Sequence, residues 1–249
     1  MRIAVCTQKG GVGKTTTAVN LSACLARLGR SVLLVDADPQ AASTSGLGFQ
    51  KVDRTIYDVL LGSCAAEDAV LRTEVEGLEL LPSCIDLAAA EIELADAKDR
   101  EFRLSRALSG IKRDFIIFDT PPNLGLMTVS SLIASDAVLI PVQAEYYPLE
   151  GLAHLLRFLD ALESRLGREL RRMVLITMFD SRLRICREVE KQLRDFLKSA
   201  VLKTVIPRNV RLAEAPSHGK PIILYDPLCS GAKAYMKLAR EVLEVAEGR

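Results

Sequence analysis

The sequence predicts an α/β fold, a mostly parallel twisted sheet with helices on both faces. Short continuous apolar runs alternate with helix-length amphipathic segments, the pattern of strands buried on both faces and joined by crossover helices. The longest apolar runs, such as 32–35 and 115–118, have strand length and fall far short of a membrane span. A glycine-bearing stretch, QKGGVGKTT, separates the first apolar run from the first amphipathic segment.

The elements follow in order. A strand at about 2–7 leads through the glycine stretch into a helix over 15–28, where Ala18, Leu21, Leu25 and Leu28 share one face and Gly29 stands as the C-cap residue. Further strands read at about 32–36, 78–81, 115–119, 137–142, 173–178 and 203–206. Helices fit about 55–61, 86–109, 124–134, 149–165, 183–198 and 231–246. The stretch 40–54, QAASTSGLGFQKVDR, is polar and rich in Gly and Ser, and it reads as a functional loop. Without an internal repeat, a low-complexity stretch or a Pro/Gly linker, one domain over 1–249 is expected.

Hydrophobic residues make up 49% of the 249, enough for a sizeable core and against disorder. Residue 1 leads straight into a strand, so no signal peptide is expected. The six cysteines, at 6, 24, 64, 84, 186 and 229, form no C-x-x-C pair, which favours reduced core thiols in the cytoplasm over metal ligation. The net charge of +1 hides an asymmetry. Residues 165–220 carry 14 Lys/Arg against 6 Asp/Glu, whereas 1–164 carry 15 against 22. A basic third quarter points to a local polyanion-binding surface.

The glycine stretch ends like a phosphate-binding P-loop, G-x-x-x-x-G-K-[ST], yet it has Gln8 where that pattern asks for glycine, with Lys9 beside it. Gly10, Gly11 and Gly13 let the backbone turn tightly and aim N–H groups at phosphate oxygens, and the following helix adds its dipole. Lys14 would neutralise the β- and γ-phosphates of a nucleotide, and the Thr15 hydroxyl would ligate Mg²⁺. VLLVDADP puts Asp36 and Asp38 at the C-terminal edge of one strand and FIIFDTPP puts Asp119 at that of another, the edge where open α/β sheets bind ligands. Asp119 reads as a Walker B carboxylate holding a Mg²⁺-bound water, and Asp36 or Asp38 as the residue that positions the attacking water. The bland alternative for each is a turn or helix N-cap aspartate.

Taken together, KGGVGKTT, VDADPQ, FDTPP, PVQAEYYPLEG and IPRNVRLAEAPSHGKPI resemble the ParA/Soj chromosome- and plasmid-partitioning ATPases, within the deviant-Walker group that also contains MinD. The similarity runs over essentially the whole chain, and the last two motifs belong to the ParA/Soj branch. The resemblance implies an ATP-sandwich homodimer in which Lys9 reaches the phosphates held by the other subunit. It implies phosphate contacts from Lys9, Gly10, Gly11, Val12, Gly13, Lys14, Thr15 and Thr16, with Mg²⁺ on Thr15. Asp38 becomes the water-positioning residue and Asp119 the Walker B carboxylate, while Pro207 and Asn209 frame the adenine. It also implies a cytoplasmic, nucleoid-associated protein whose hydrolysis is stimulated by a ParB-like centromere-binding partner. The helix-turn-helix region of some plasmid relatives is missing, so operator-specific repression is not expected.

A MinD-like membrane anchor would be basic and amphipathic. The last helix instead mixes Lys237 and Arg240 with Glu241, Glu244 and Glu247 opposite an apolar face of Tyr235, Leu238, Ala239, Val242 and Ala246, as an ordinary docked helix would. A nitrogenase-reductase-like electron carrier would need cysteines after the Walker B strand, and none lies between Cys84 and Cys186. A metabolic ligase or kinase fits the fold but not the motifs after residue 140. His154 and His218 read as packing or loop residues.

In the helix at 183–198, Ile185, Cys186, Val189, Leu193, Phe196 and Leu197 make the expected buried face. Arg184, Arg187, Lys191, Arg194 and Lys198 fall within an arc of roughly 80° at 3.6 residues per turn, and Glu188, Glu190 and Asp195 lie outside it; the bland alternative is a solvated basic face paired with those acids. A stripe without interleaved aromatics is expected to contact phosphates and bind double-stranded DNA with little sequence preference, with Lys203, Arg208 and Arg211 next in line.

Overall fold

The computed structural model describes residues 1–145 and 148–248, without the side chains of 148–150. Tyr146 and Tyr147 of the PVQAEYYPLEG motif therefore lie outside the described residues, as does Arg249. The chain begins with β1 (Arg2–Val5), α1 (Lys14–Arg27), β2 (Val32–Asp36) and α2 (Ala42–Gly46). Short elements follow: α3 (Ile56–Leu61), α4 (Ala66–Ala69), β3 (Leu71–Arg72), β4 (Leu78–Leu81), α5 (Ala90–Glu93) and α6 (Arg103–Ala107). Longer ones come next: β5 (Phe115–Asp119), α7 (Leu126–Ile133), β6 (Ala137–Gln143), α8 (Pro148–Leu166), β7 (Arg171–Phe179), α9 (Arg184–Leu197) and β8 (Val201–Pro207). The chain closes with α10 (Val210–Glu214), α11 (Ile222–Tyr225) and α12 (Ser230–Ala246).

The strands form one sheet in the order β3-β4-β2-β5-β1-β6-β7-β8, parallel throughout except for β3, which pairs antiparallel at the edge. Each central strand splits its side chains between two cores, which is why its sequence is apolar without alternation. Ile3, Val5, Leu34 and Ile117 face α1 and α12, while Ala4, Leu33, Val35 and Phe118 face the side covered by α3, α7 and α8. Register aligns the strand ends: both Val5 of β1 and Asp36 of β2 stand opposite Asp119 of β5. The glycine stretch and the aspartates thus emerge level with one another at the C-terminal edge.

All seven expected strands form. β3 has two residues, too few to leave a periodic signal. The helix expected over 86–109 is instead a 3₁₀ turn (Ile85–Ala89), α5, a second 3₁₀ turn (Arg100–Phe102) and α6. Between Leu94 and Leu104 the sequence is largely polar, and Asp99, the N-cap of the second 3₁₀ turn, adopts φ 54°, a left-handed conformation that a continuous helix excludes. The stretch 40–54 holds one short helix, α2, whose Ser43 and Thr44 are buried. Burial pushes the Cys6 thiol up to about 11 and that of Cys24 up to about 12, consistent with inert packing groups.

The last helix, α12, docks on α1 and β8 with Tyr235, Leu238, Ala239 and Val242 buried; Ala246, at its end, is exposed. Among the described residues no helix is long and apolar enough to cross a membrane. Tyr235 is 1% exposed, and its hydroxyl lies 3.2 Å from that of Thr17 in α1. Tyr235→Ala is expected to destabilise the fold by about 3–5 kcal/mol, the usual cost of deleting a buried aromatic ring. Urea denaturation of the ligand-free protein checks this.

Candidate active site

The loop between β1 and α1 is built from backbone angles that side chains disfavour. Gly11 has φ 76° and Gly13 φ 88°. Gly13 is the N-cap of α1, no side chain caps the helix, and no acidic residue stands in its first turn. The leading N–H groups therefore face outward as donors, with the positive end of the helix dipole behind them. The Val12 carbonyl accepts from the Thr177 hydroxyl of β7 at 2.8 Å, which ties the loop to the sheet. Next to Thr177, Met178 adopts φ 51°, and the pairing of β7 with β8 shifts register there. The following residue, Phe179, accepts through its carbonyl from the Arg208 N–H at 3.1 Å.

Lys14, at the start of α1, lies over the strand ends. Its Nζ is 2.9 Å from Asp119 Oδ1 and 3.7 Å from Asp38 Oδ2, with the lysine side chain 9% exposed. Asp119 accepts on its other oxygen from the Ser43 hydroxyl at 2.8 Å. Asp36 is fully buried and accepts from the Thr44 hydroxyl at 2.7 Å, the Thr44 N–H at 2.8 Å and the Asp38 N–H at 3.3 Å. Burial, and then the negative charge of Asp119, push the Asp36 carboxyl up to about 7. Asp38 accepts from the Gln40 N–H at 3.0 Å and keeps its other oxygen toward Lys14. The two aspartates that the sequence leaves as alternatives are thus separated: Asp36 holds α2 in place, and Asp38 fronts the loop.

One ammonium facing two carboxylates, with a third behind, leaves an excess of negative charge beside a loop rich in N–H donors. That donor set fits a polyphosphate together with a divalent cation. Thr15 and Thr16, in the first turn of α1, are half-buried beside it. Gly10 lies at the outer lip, where a Cβ would meet nothing within 4 Å. Lys9 turns away from its own carboxylates: its side chain is 44% exposed and its Nζ is 3.5 Å from Glu145 Oε2. His154, exposed on α8, lies 2.9 Å from Gln8 Oε1 through Nδ1. Pro207 ends β8 at the same edge of the sheet. Asn209 caps α10, accepting from the Arg211 N–H at 2.8 Å and donating to the Ser230 hydroxyl at 2.8 Å.

Sequence reasoning missed Ser43, Thr44, Thr177 and Asn20. Asn20 donates to the Thr16 carbonyl at 2.8 Å and accepts from the Ile222 N–H at 2.7 Å, bridging α1 to the segment before α12. For Ser43 and Thr44 the available signal was hydroxyl residues five to eight positions after the aspartates, which is common in ordinary loops.

The basic stripe on α9 needs two corrections. Cys186, Val189 and Leu193 are buried, but Phe196 is 80% exposed and Ile185 is 37% exposed, so the buried strip is narrower than the apolar pattern. Both residues sit at its margin, on a helix at the end of the sheet. The acidic residues outside the arc also reach it: Arg184 pairs with Glu188 at 2.6 Å and Arg194 with Glu190 at 2.9 Å. An i,i+4 pair spans only about 40° of helix rotation, which a long arginine bridges. Arg194 also donates to the Leu202 carbonyl at 3.1 Å. Arg187, Lys191 and Lys198 are exposed, with no ion pair among the described residues.

A family model described as an AAA domain matches residues 1–172. The sporulation initiation inhibitor protein Soj of Bacillus subtilis is 53% identical over 245 residues, spanning 96% of this chain and 97% of that protein. The chromosome partitioning protein ParA of Caulobacter vibrioides is 45% identical over 248 residues, spanning 97% of this chain and 93% of that protein. Among solved structures, cobyrinic acid a,c-diamide synthase of Mycobacterium smegmatis, with bound ADP and magnesium, superposes with a TM-score of 0.87 at 36% identity, covering 100% of this chain and 96% of that one.

Proposed function

The chain belongs to the ParA/Soj family of chromosome-partitioning ATPases, and from that premise we propose that it hydrolyses ATP at a site shared by two subunits and couples the cycle to binding and release of DNA. The observation that carries this reading is the placement of the two lysines. Lys14 lies within its own carboxylate cluster, whereas Lys9, at the lip of the same loop, faces outward.

In this reading the N–H groups from Lys9 to Thr16 cradle the phosphates of ATP, and Lys14 exchanges Asp119 for the β- and γ-phosphates. The Thr15 hydroxyl would hold Mg²⁺, which when bound supplies neutralisation of phosphate charge. Asp38 accepts a hydrogen bond from water and aligns it for attack on the γ-phosphorus, as ADP leaves through its β-oxygen. Asp119, anchored by Ser43 and released by Lys14, would hold a Mg²⁺-bound water as the Walker B carboxylate. Lys9 of each subunit reaches the phosphates of the other, and Pro207 and Asn209 frame the adenine.

The dimer then presents two α9 surfaces. Arg187, Lys191 and Lys198 of each contact DNA phosphates without reading bases, and joining two weak patches makes DNA binding depend on ATP. A ParB-like partner at the centromere stimulates hydrolysis and frees the protein from the nucleoid.

Asp38→Ala is expected to keep ATP binding while hydrolysis falls by about a hundredfold or more. Lys14→Ala is expected to lose ATP binding. Equilibrium binding and single-turnover assays separate the two outcomes. Gly10→Val should leave the monomer folded, since beyond the adjoining residues the added Cβ meets nothing within 4 Å, and should abolish dimers formed with a non-hydrolysable ATP analogue in light scattering. The double variant Arg187→Ala, Lys191→Ala should bind all duplex sequences more weakly, flattening the log affinity–log salt slope by about 0.9 per lost contact, while ATP-driven dimerisation persists. Unchanged DNA affinity would move the surface elsewhere. Stimulation of turnover by DNA and a protein partner also distinguishes this reading from a biosynthetic synthase, whose rate would follow a small substrate.

A further inference from the structure

Two glycines outside the phosphate loop meet backbone to backbone. Gly48, shortly after α2, has φ 89°, and Gly219, after the 3₁₀ turn Ala215–His218, has φ 63°. A Cβ on Gly219 would lie 2.7 Å from the Gly48 Cα and 3.1 Å from its nitrogen. A Cβ on Gly48 would lie 3.3 Å from the Gly219 carbonyl oxygen. None of these neighbours is a side chain that can swing aside. Glycine is required at both positions, by angle and by space.

The contact joins two bodies, each braced within itself. On one side α2 is held to the buried carboxylates through Ser43–Asp119 and Thr44–Asp36, and Asp38 stands at the head of that loop, its carbonyl accepting from the Ala41 N–H at 2.9 Å. On the other side lies the segment 209–226. Asn209 caps its first helix, Tyr225 donates to Glu214 Oε2 at 3.1 Å, and the His218 ring stacks on Tyr225 with centroids 4.9 Å apart. The Asn209 end and Gly219 thus belong to one braced segment, and Gly219 meets the loop after α2 at Gly48. From α2 the link to Asp38 runs through Thr44, which donates to Asp36, and Asp36, which accepts from the Asp38 N–H at 3.3 Å.

We propose that Gly48 and Gly219 are positioning residues through which closure of segment 209–226 on a nucleobase sets the place of Asp38. Base recognition is then expressed in the rate of hydrolysis, beyond the affinity for nucleotide. This rests on the reading of Pro207 and Asn209 as base-framing residues.

The test compares kcat and KM for ATP and CTP, together with Kd for a fluorescent ATP analogue, in the unaltered protein, Gly219→Ala, Gly48→Ala and Asn209→Ala. The unaltered protein should turn over ATP faster than CTP at saturation. Both glycine variants should lower kcat for ATP toward the CTP value, by about tenfold. In them the analogue Kd and the kcat for CTP should stay within about twofold, a split that general damage to the fold would not produce. Gly48→Ala is the milder change and decides the matter if Gly219→Ala fails to fold. Equal proportional losses for ATP and CTP, or an unchanged ratio in the glycine variants, overturn the inference. If Asn209→Ala loses the preference for ATP while both glycine variants keep it, the coupling alone fails. If Asn209→Ala keeps the full preference for ATP, or the unaltered protein shows none, the base-framing reading fails and the coupling with it.

Discussion

The amine of Lys14, set between Asp119 and Asp38, depends on nearly everything else in the molecule. It needs three strand ends at one level, which the register of β1, β2 and β5 supplies. It needs the first turn of α1 pressed onto the sheet, which the core on that face and the Thr17–Tyr235 contact with α12 supply. Buried ionised groups are costly unless paired and hydrogen-bonded, so the cluster also needs the hydroxyls of Ser43 and Thr44. The C-terminal helix and a loop after β2, far apart in sequence, thus serve the same short stretch of charge.

The central strands were legible because parallel strands buried on both faces leave continuous apolar runs bounded by polar residues. The region 86–109 was not, because its apolar residues approximate a helical period while Asp99 turns left-handed. On α9 the hydrophobic pattern was broader than the face the protein buries: Phe196 continues the pattern but lies beyond the neighbouring elements that cover the helix. Periodicity reports which residues share a side. It does not report how far the adjoining layer extends.

At the site, legibility followed the strength of local constraint. Glycines needing left-handed angles, a lysine at a helix start and aspartates at strand ends leave a compact signature. What sets Asp36 apart in place from Asp38 is Thr44, eight residues beyond Asp36, which donates its hydroxyl to that carboxylate. Asn20 and Thr177 escaped notice because a buried polar residue in a helix or strand looks ordinary until its distant partner is known. The pairing of Arg184 with Glu188 and of Arg194 with Glu190 follows the alternative of a basic face paired with its flanking acids, because a long arginine side chain spans the angle that separates them on the helix.

The end of β7 has a further consequence. Thr177 grips the phosphate loop and Phe179 grips the start of the segment that follows β8, with Met178 bent into a left-handed angle between them. That angle costs a non-glycine residue on the order of 1 kcal/mol. In return, the phosphate loop and the start of the segment after β8 hang from three consecutive residues of one strand. Their separation is then gauged by covalent geometry, as the jaws of a caliper are by its beam.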